Sequence, residues 1–180
     1  MAAIKIYDKY FVTFLAEEAI QQKVKQIAAQ ICNDYRNKRP LFIAILNGSF
    51  IFAADLFKNV TGDAEISFIK LASYKGTRST GHVITAIGLD TDVTGRDVII
   101  VEDIIETGKT LHHFLPQLYN QQPASVKIAV LLHKPDATVY PIDINYCCFS
   151  IPNKFVVGYG LDYDGLGRNL KEIYQLQESI

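Results

Sequence analysis

Six apolar residues in a row, Leu41 to Leu46 (LFIAIL), stand between Pro40 and the turn pair Asn47-Gly48. A run that short, with no polar break, cannot lie half in water. A strand with one wet face alternates apolar and polar residues, and a buried helix runs longer than this. The stretch therefore reads as a strand covered on both faces, the kind found in parallel sheets. Val98 to Val101 repeats the pattern, and Ser125 to Leu132 is a further apolar strand.

Between these runs the period changes. Ile20, Val24, Ile27 and Ile31 recur at spacings of three and four among polar residues, which predicts a helix. Glu17 and Glu18 fall in its first turn, where the helix dipole favours negative charge. Phe50 to Lys58 is apolar enough for a helix packed on the sheet, and a third helix should begin near Thr110. Pro116 predicts a kink or an early end in that helix. Glu65 to Leu71 and His82 to Leu89 read as strands around a polar, glycine-containing loop, Ser73 to Gly81, and Asp90 to Asp97 as a turn region. Ile144 to Phe149, Phe155 to Tyr159 and Ile173 to Leu176 look like short strands. Strands alternating with helices place the chain in the α/β class, with a central, mostly parallel sheet flanked by helices. The chain ends supply leftover strands and loops for a small hood over the sheet. At 180 residues, without a linker or repeat, residues 1–180 are expected to form one domain.

The formal charge of −1 argues against a nucleic-acid-coating surface. No apolar run approaches a membrane span, and the N-terminus lacks the basic start and apolar core of a signal peptide. Cys32, Cys147 and Cys148 are an odd count with an adjacent pair, which suits reduced thiols in a cytoplasm. His82, His112, His113 and His133 show no zinc-ligand spacing.

The stretch VIIVEDIIETGKTL (Val98 to Leu111) joins two opposite demands. Glu102-Asp103 would repel a phosphate, whereas Thr107-Gly108-Lys109-Thr110 leads into a helix whose free N–H groups would hold one. A nucleoside-triphosphate loop needs glycine five residues before the Gly-Lys pair, and Asp103 stands there instead. Carboxylates accept hydrogen bonds from hydroxyls, and a vicinal diol offers two. A sugar with a diol on one side and a phosphate on the other, such as ribose 5-phosphate, satisfies both halves.

The stretch resembles the phosphoribosyl-diphosphate signature of the type I phosphoribosyltransferases, most nearly the hypoxanthine-guanine members. The likeness continues through Leu46-Asn47-Gly48-Ser49, Ser73-Tyr74, Lys134, Lys154 to Tyr159, and Leu161-Asp162-Tyr163 with Arg168. It implies transfer of a 5-phosphoribosyl group from 5-phosphoribosyl 1-diphosphate to a 6-oxopurine, releasing pyrophosphate, with magnesium as cofactor. Glu102 and Asp103 would hold the ribose hydroxyls, partly through magnesium, and Glu106 to Thr110 (Glu106, Thr107, Gly108, Lys109, Thr110) would cradle the 5-phosphate. Glu106 would also face a ring nitrogen of the purine and assist proton transfer, in a place where the family more often has aspartate. Lys134 would donate to the 6-oxo group, Phe155 would stack on the base, and the backbone at Val156 would meet its edge. Asn47, Gly48, Ser49 and Arg168 would bind pyrophosphate. Asp162 would be a further magnesium ligand, and Ser73 and Tyr74 would open a lid.

Without the resemblance these residues read more plainly. Lys134 would be a solvated lysine before Pro135, Phe155 a core aromatic, and Asp162 and Arg168 surface charges in a glycine-rich loop. Many relatives carry lysine or arginine where this chain has Asn47. The resemblance implies a cytoplasmic homodimer or homotetramer acting on small molecules, without nucleic-acid or membrane partners. Two alternatives share the ribose-phosphate motif: a transferase for xanthine or another base, and a non-catalytic regulator that binds the donor.

Overall fold

A computed structural model gives the arrangement of residues 3–74, 83–88 and 91–177. In chain order the elements are β1 (Ala3–Ile6), β2 (Lys9–Leu15), α1 (Glu17–Asp34), β3 (Leu41–Leu46), α2 (Phe50–Lys58), β4 (Glu65–Tyr74) and β5 (Val83–Ile87). They continue with β6 (Asp97–Ile105), α3 (Lys109–Tyr119), β7 (Ser125–His133), a 3₁₀ turn at Pro135–Ala137, β8 (Tyr146–Ser150), β9 (Val156–Val157) and β10 (Ile173–Leu176). The main sheet has the order β5-β4-β3-β6-β7-β8, parallel throughout except for β5, which pairs antiparallel with β4.

The solid apolar runs are explained by two cores. Phe42, Ala44, Ile99, Val101, Ala129 and Leu131 pack with α1 and α2 on one face. Leu41, Ile43, Ile45, Val98, Ile100, Ile128 and Val130 pack with α3 on the other. Along most of their length these strands supply both faces by alternation, so both faces are apolar. The helical stripe of α1 buries Ile20, Val24, Ile27, Ala28 and Ile31. Pro116 lies inside α3, which ends one turn later at Tyr119.

The chain ends form a second sheet, β1-β2-β10-β9, antiparallel throughout. The sequence reading found β10 and the region of β9 but not the β1–β2 hairpin. Its strands bury little: only Ile6 and Phe11 are buried, so no clean alternation marks them. Phe11, Ile6 and Val157 form its small core, with Leu170 and Leu176 packed beside them.

Two boundaries move in ways that matter for the site. Ser73 and Tyr74, expected at the start of a loop, end β4 and pair with Ile84 and Val83. The rest of the expected lid, residues 75–81, lies outside the described residues. Glu102 and Asp103, expected just beyond a strand, are within β6, which runs on to Ile105. No helix among the described residues is long and apolar enough to cross a membrane.

Candidate active site

The site opens where β6 parts from β3. Their ladder stops at Ala44↔Val101, while β6 stays paired with β7 as far as Ile105↔His133. The carboxyl ends of β3 and β6 thus border a crevice, the usual ligand position in an open α/β sheet.

The acid pair divides across this crevice. Glu102 pairs in register with Val130 and lines a cavity of about 160 Å³ with Ile104 to Leu111. Asp103 lies on the other side, against Gly48, where a Cβ would overlap its carboxylate. Past the pair the faces exchange: Ile104 packs toward α1 and α2, and Ile105 toward α3. Glu102 is buried and its Oε2 has no hydrogen-bond partner among the described residues. Burial, followed by the charge of Asp103, pushes its pKa well above the ordinary carboxylate range. Burial likewise raises Asp103 to about 6, against the pull of its own and Ile104's backbone N–H groups. Arg168 also lowers it and Asp162 raises it, so both reach this carboxylate.

The phosphate-type cradle is built by a backbone that only glycine adopts readily. Gly108, with φ of 77°, is the residue from which α3 starts. A Cβ there would also overlap the carbonyl oxygen of Tyr140. The same segment braces the loop, because Val139 and Tyr140 donate their N–H groups to the Thr107 carbonyl at 3.1 and 2.9 Å. Glu106, Thr107, Lys109 and Thr110 are exposed around the cavity, at the N-terminal end of α3.

Lys134 is not a solvated turn residue. Its side chain is 4 % exposed and its ammonium forms an ion pair with Glu106, which is 49 % exposed. Its N–H donates to the Ile105 carbonyl at 2.9 Å, continuing the β6–β7 ladder by one step. The sheet therefore fixes the lysine, and the carboxylate is the partner free to swing away.

The hood supplies the remaining residues. Phe155 is 43 % exposed and packs against Phe11 and Tyr163 at centroid distances of 6.2 and 5.8 Å. It thus combines core packing with an open ring surface. Val156 is buried in β9 opposite Gln175. Arg168 pairs with Asp162 at 2.7 Å and donates to the Gly160 carbonyl at 2.7 Å. Gly160 in turn presses on Gly48, whose carbonyl oxygen a Cβ would overlap. The expected pyrophosphate residues Gly48 and Arg168 are therefore linked through Gly160, and Asp103 and Asp162 adjoin them. Asn47 is exposed, and the Leu46–Asn47 peptide is cis. Ser49 closes this turn. Its hydroxyl is buried and donates to the Ile45 carbonyl at 2.6 Å, leaving only its backbone N–H for a ligand.

The sequence reading did not single out Gly160 or Lys9. The G-Y-G triplet at Gly158 to Gly160 was a visible signal for a close approach. Lys9 had none, because the contact that places its ammonium 4.5 Å from the Tyr163 ring and 5.8 Å from that of Phe155 is purely tertiary.

The donor set fits a hard cation. Glu102 has a buried oxygen without a partner among the described residues, and Asp103 is held near 6 by burial, so both would be relieved by positive charge. Among the described residues no three His, Cys, Asp or Glu side chains converge as a ligand cage. One or two carboxylates are what a magnesium ion takes from a protein, its shell being completed by water and phosphate oxygens.

The raised carboxyls carry a stability cost that can be measured. For Asp103, a folded pKa of about 6 against an ordinary value near 3.9 corresponds to about 3 kcal/mol. The sign follows from proton binding: between those values the folded chain holds more protons than the unfolded one. The contribution is favourable below about pH 4 and is lost as pH rises through 6. In excess chelator, Asp103→Asn is therefore expected to stabilise the chain by about 1–3 kcal/mol at pH 8, the gain shrinking toward pH 4. Denaturant titrations at the two pH values would measure it. A variant less stable at pH 8, or a gain equal at both, would contradict the burial argument.

Comparison with known proteins agrees with this geometry. The model of the phosphoribosyl transferase domain matches residues 13–164. A hypoxanthine-guanine phosphoribosyltransferase of Streptococcus agalactiae is 43 % identical over 166 residues, 92 % of both chains. One from Streptococcus mutans is 42 % identical over the same shares. The crystal structure of a hypoxanthine phosphoribosyltransferase from Staphylococcus aureus superimposes with a TM-score of 0.86 at 40 % identity, covering 92 % of this chain and 91 % of that one. Another, a hypoxanthine-guanine phosphoribosyltransferase from Bacillus anthracis, gives 0.84 at 37 % identity, covering 93 % and 97 %. A five-stranded parallel core, a crevice between β3 and β6 and these extended likenesses together establish that the chain belongs to the phosphoribosyl transferase family.

Proposed function

We propose that this chain is a purine-salvage enzyme, transferring the 5-phosphoribosyl group of 5-phosphoribosyl 1-diphosphate to hypoxanthine or guanine. The products are IMP or GMP and pyrophosphate. The observation that carries the reading is Lys134, a buried ammonium at the carboxyl edge of the sheet, paired with a carboxylate that can leave it. An ammonium offers only donors, so it matches the 6-oxo acceptor of these bases and opposes the amino group of adenine.

The roles follow from position. Phe155 stacks on the purine face, and the backbone at Val156 meets the base edge. As the base enters, Glu106 releases Lys134 to the 6-oxo oxygen and turns toward a ring nitrogen. The cradle from Glu106 to Thr110 holds the 5-phosphate with backbone N–H groups and hydroxyls. Gly48, the N–H of Ser49 and Arg168 hold the diphosphate, with Asn47 at the rim. The bond from C1′ to the diphosphate oxygen breaks, a bond from C1′ to the purine nitrogen forms, and the displaced ring proton leaves the base toward Glu106. Glu102, Asp103 and Asp162 would hold magnesium, partly through water, and the ion would supply positive charge for the departing diphosphate. Ser73 and Tyr74 begin a lid that keeps water from the reacting carbon.

The chain works as one unit of core and hood, in the cytoplasm, as a homodimer or homotetramer. Exposed Phe50 and Phe68, 42 % and 43 % accessible, support a subunit contact beside α2. The test is an assay of purified protein with donor, magnesium and each purine in turn. Nucleotide formation from hypoxanthine and guanine, with poor use of adenine, is expected. Turnover of xanthine alone would assign the neighbouring transferase, and donor binding without turnover would assign a regulator.

A further inference from the structure

We propose that Tyr159, acting with Asp55 and Gln21, is a positioning residue that sets the pyrophosphate-binding turn at Gly48. The inference rests on the function proposed above, because it concerns how the diphosphate end of that site is held.

Tyr159 sits in the hood segment and is 2 % exposed. Its φ of 50° lies in the left-handed region, between Gly158 and Gly160, both at 102°. A tyrosine adopts that backbone only where its surroundings dictate it. The surroundings are specific. Its hydroxyl donates to Oδ2 of Asp55 at 2.6 Å. Nε2 of Gln21, from α1, donates to the same oxygen at 2.6 Å. Nζ of Lys58 holds the other oxygen at 2.7 Å. Burial alone would push the Asp55 carboxyl up, but these three donors hold it below the ordinary range.

The consequence is a closed circuit of constraints. Asp55 belongs to α2, and α2 starts directly after Asn47-Gly48-Ser49. Tyr159 precedes Gly160, which presses on the Gly48 carbonyl and accepts the Arg168 guanidinium. The turn is therefore referenced twice to one tyrosine, through its chain neighbour above and through its hydroxyl and α2 below. A phenol that served the core alone would need neither the strained backbone nor a triply bonded carboxylate. The pair holds Gly48 between Asp103 and Gly160, where a displacement well under 1 Å would misplace backbone donors.

Tyr159→Phe removes only the hydroxyl. It is expected to raise the KM for the diphosphate donor about tenfold, the loss of one hydrogen bond to a charged group. The KM for hypoxanthine should stay within about twofold. Pyrophosphate affinity, titrated calorimetrically with magnesium, should fall in parallel with donor use. Asp55→Asn, which keeps an oxygen acceptor for the phenol, should restore donor KM part of the way relative to Asp55→Ala. Should Tyr159→Phe or Asp55→Ala fail to fold, Gln21→Leu on half-buried α1 surface decides, with the same selective shift at about threefold. Donor and purine constants moving together, or neither moving while the melting temperature drops, would overturn the proposal. Wild-type protein that makes no nucleotide would instead overturn the function, so the two failures are distinct.

Discussion

Turnover in excess chelator is expected to fall by at least about a thousandfold, the scale of several kcal/mol of transition-state charge stabilisation. The donor carries a 5-phosphate and a diphosphate into a crevice that already holds Glu102, Asp103, Glu106 and Asp162. Arg168 alone cannot balance that charge, because its guanidinium is shared with Asp162 and the Gly160 carbonyl. Lys134 is committed to Glu106 or the base. The buried oxygen of Glu102, unpartnered among the described residues, and the Asp103 carboxyl at about 6 both call for a cation. Addition of magnesium should restore activity where sodium at equal ionic strength does not. Binding of donor with magnesium near pH 6 should also release protons, as calorimetry in buffers of different ionisation enthalpy would show. Full turnover with the metal removed would refute the arrangement.

The second large effect concerns Lys134. Lys134→Ala should lower kcat/KM for hypoxanthine by about 100-fold, since a charge-assisted hydrogen bond to the 6-oxo group is lost. Adenine should be nearly unaffected, so the ratio between the bases shrinks from the hypoxanthine side. Sites organised around a required hydrogen bond discriminate by roughly 10⁴, and stacking on Phe155 contributes little to the choice because both bases present a π-face. The substitution leaves no buried carboxylate stranded, because Glu106 is half exposed and can turn to water. A folded variant is therefore expected, with its defect confined to 6-oxopurines. Steady-state kinetics with both bases measures it, and an unchanged ratio would show that Lys134 does not read the base.

Where the sequence was explicit, the physics was local. LFIAIL could only be a strand covered on both sides, and β3 runs from Leu41 to Leu46 as expected. The stripe Ile20, Val24, Ile27, Ile31 could only be one helical face, and α1 buries all four. Thr107-Gly108-Lys109-Thr110 read as a loop leading into a helix, and α3 starts at Lys109 directly after Gly108. Each signal depends on near neighbours in the chain, so a linear reading captures it.

What failed to show in the sequence depends on which segments meet. The β1–β2 hairpin draws its order from pairing with β10, some 160 residues later, which no local pattern records. Glu102 and Asp103 read as adjacent acids, yet the pleat sends one to the cavity beside α3 and the other to Gly48. The Ser49 hydroxyl turns back to the Ile45 carbonyl, a contact that no local pattern records. Lys134 read as solvated by spacing, and only the β6–β7 register buries it beside Glu106. The sequence by itself determined the alternation of strands and helices, the glycine turn and the family likeness, because these rest on periodicity and on residue types in fixed order. The tertiary structure alone decided which carboxylate faces which neighbour, what holds the lysine and which glycines touch, because burial and contact are set by the meeting of distant segments.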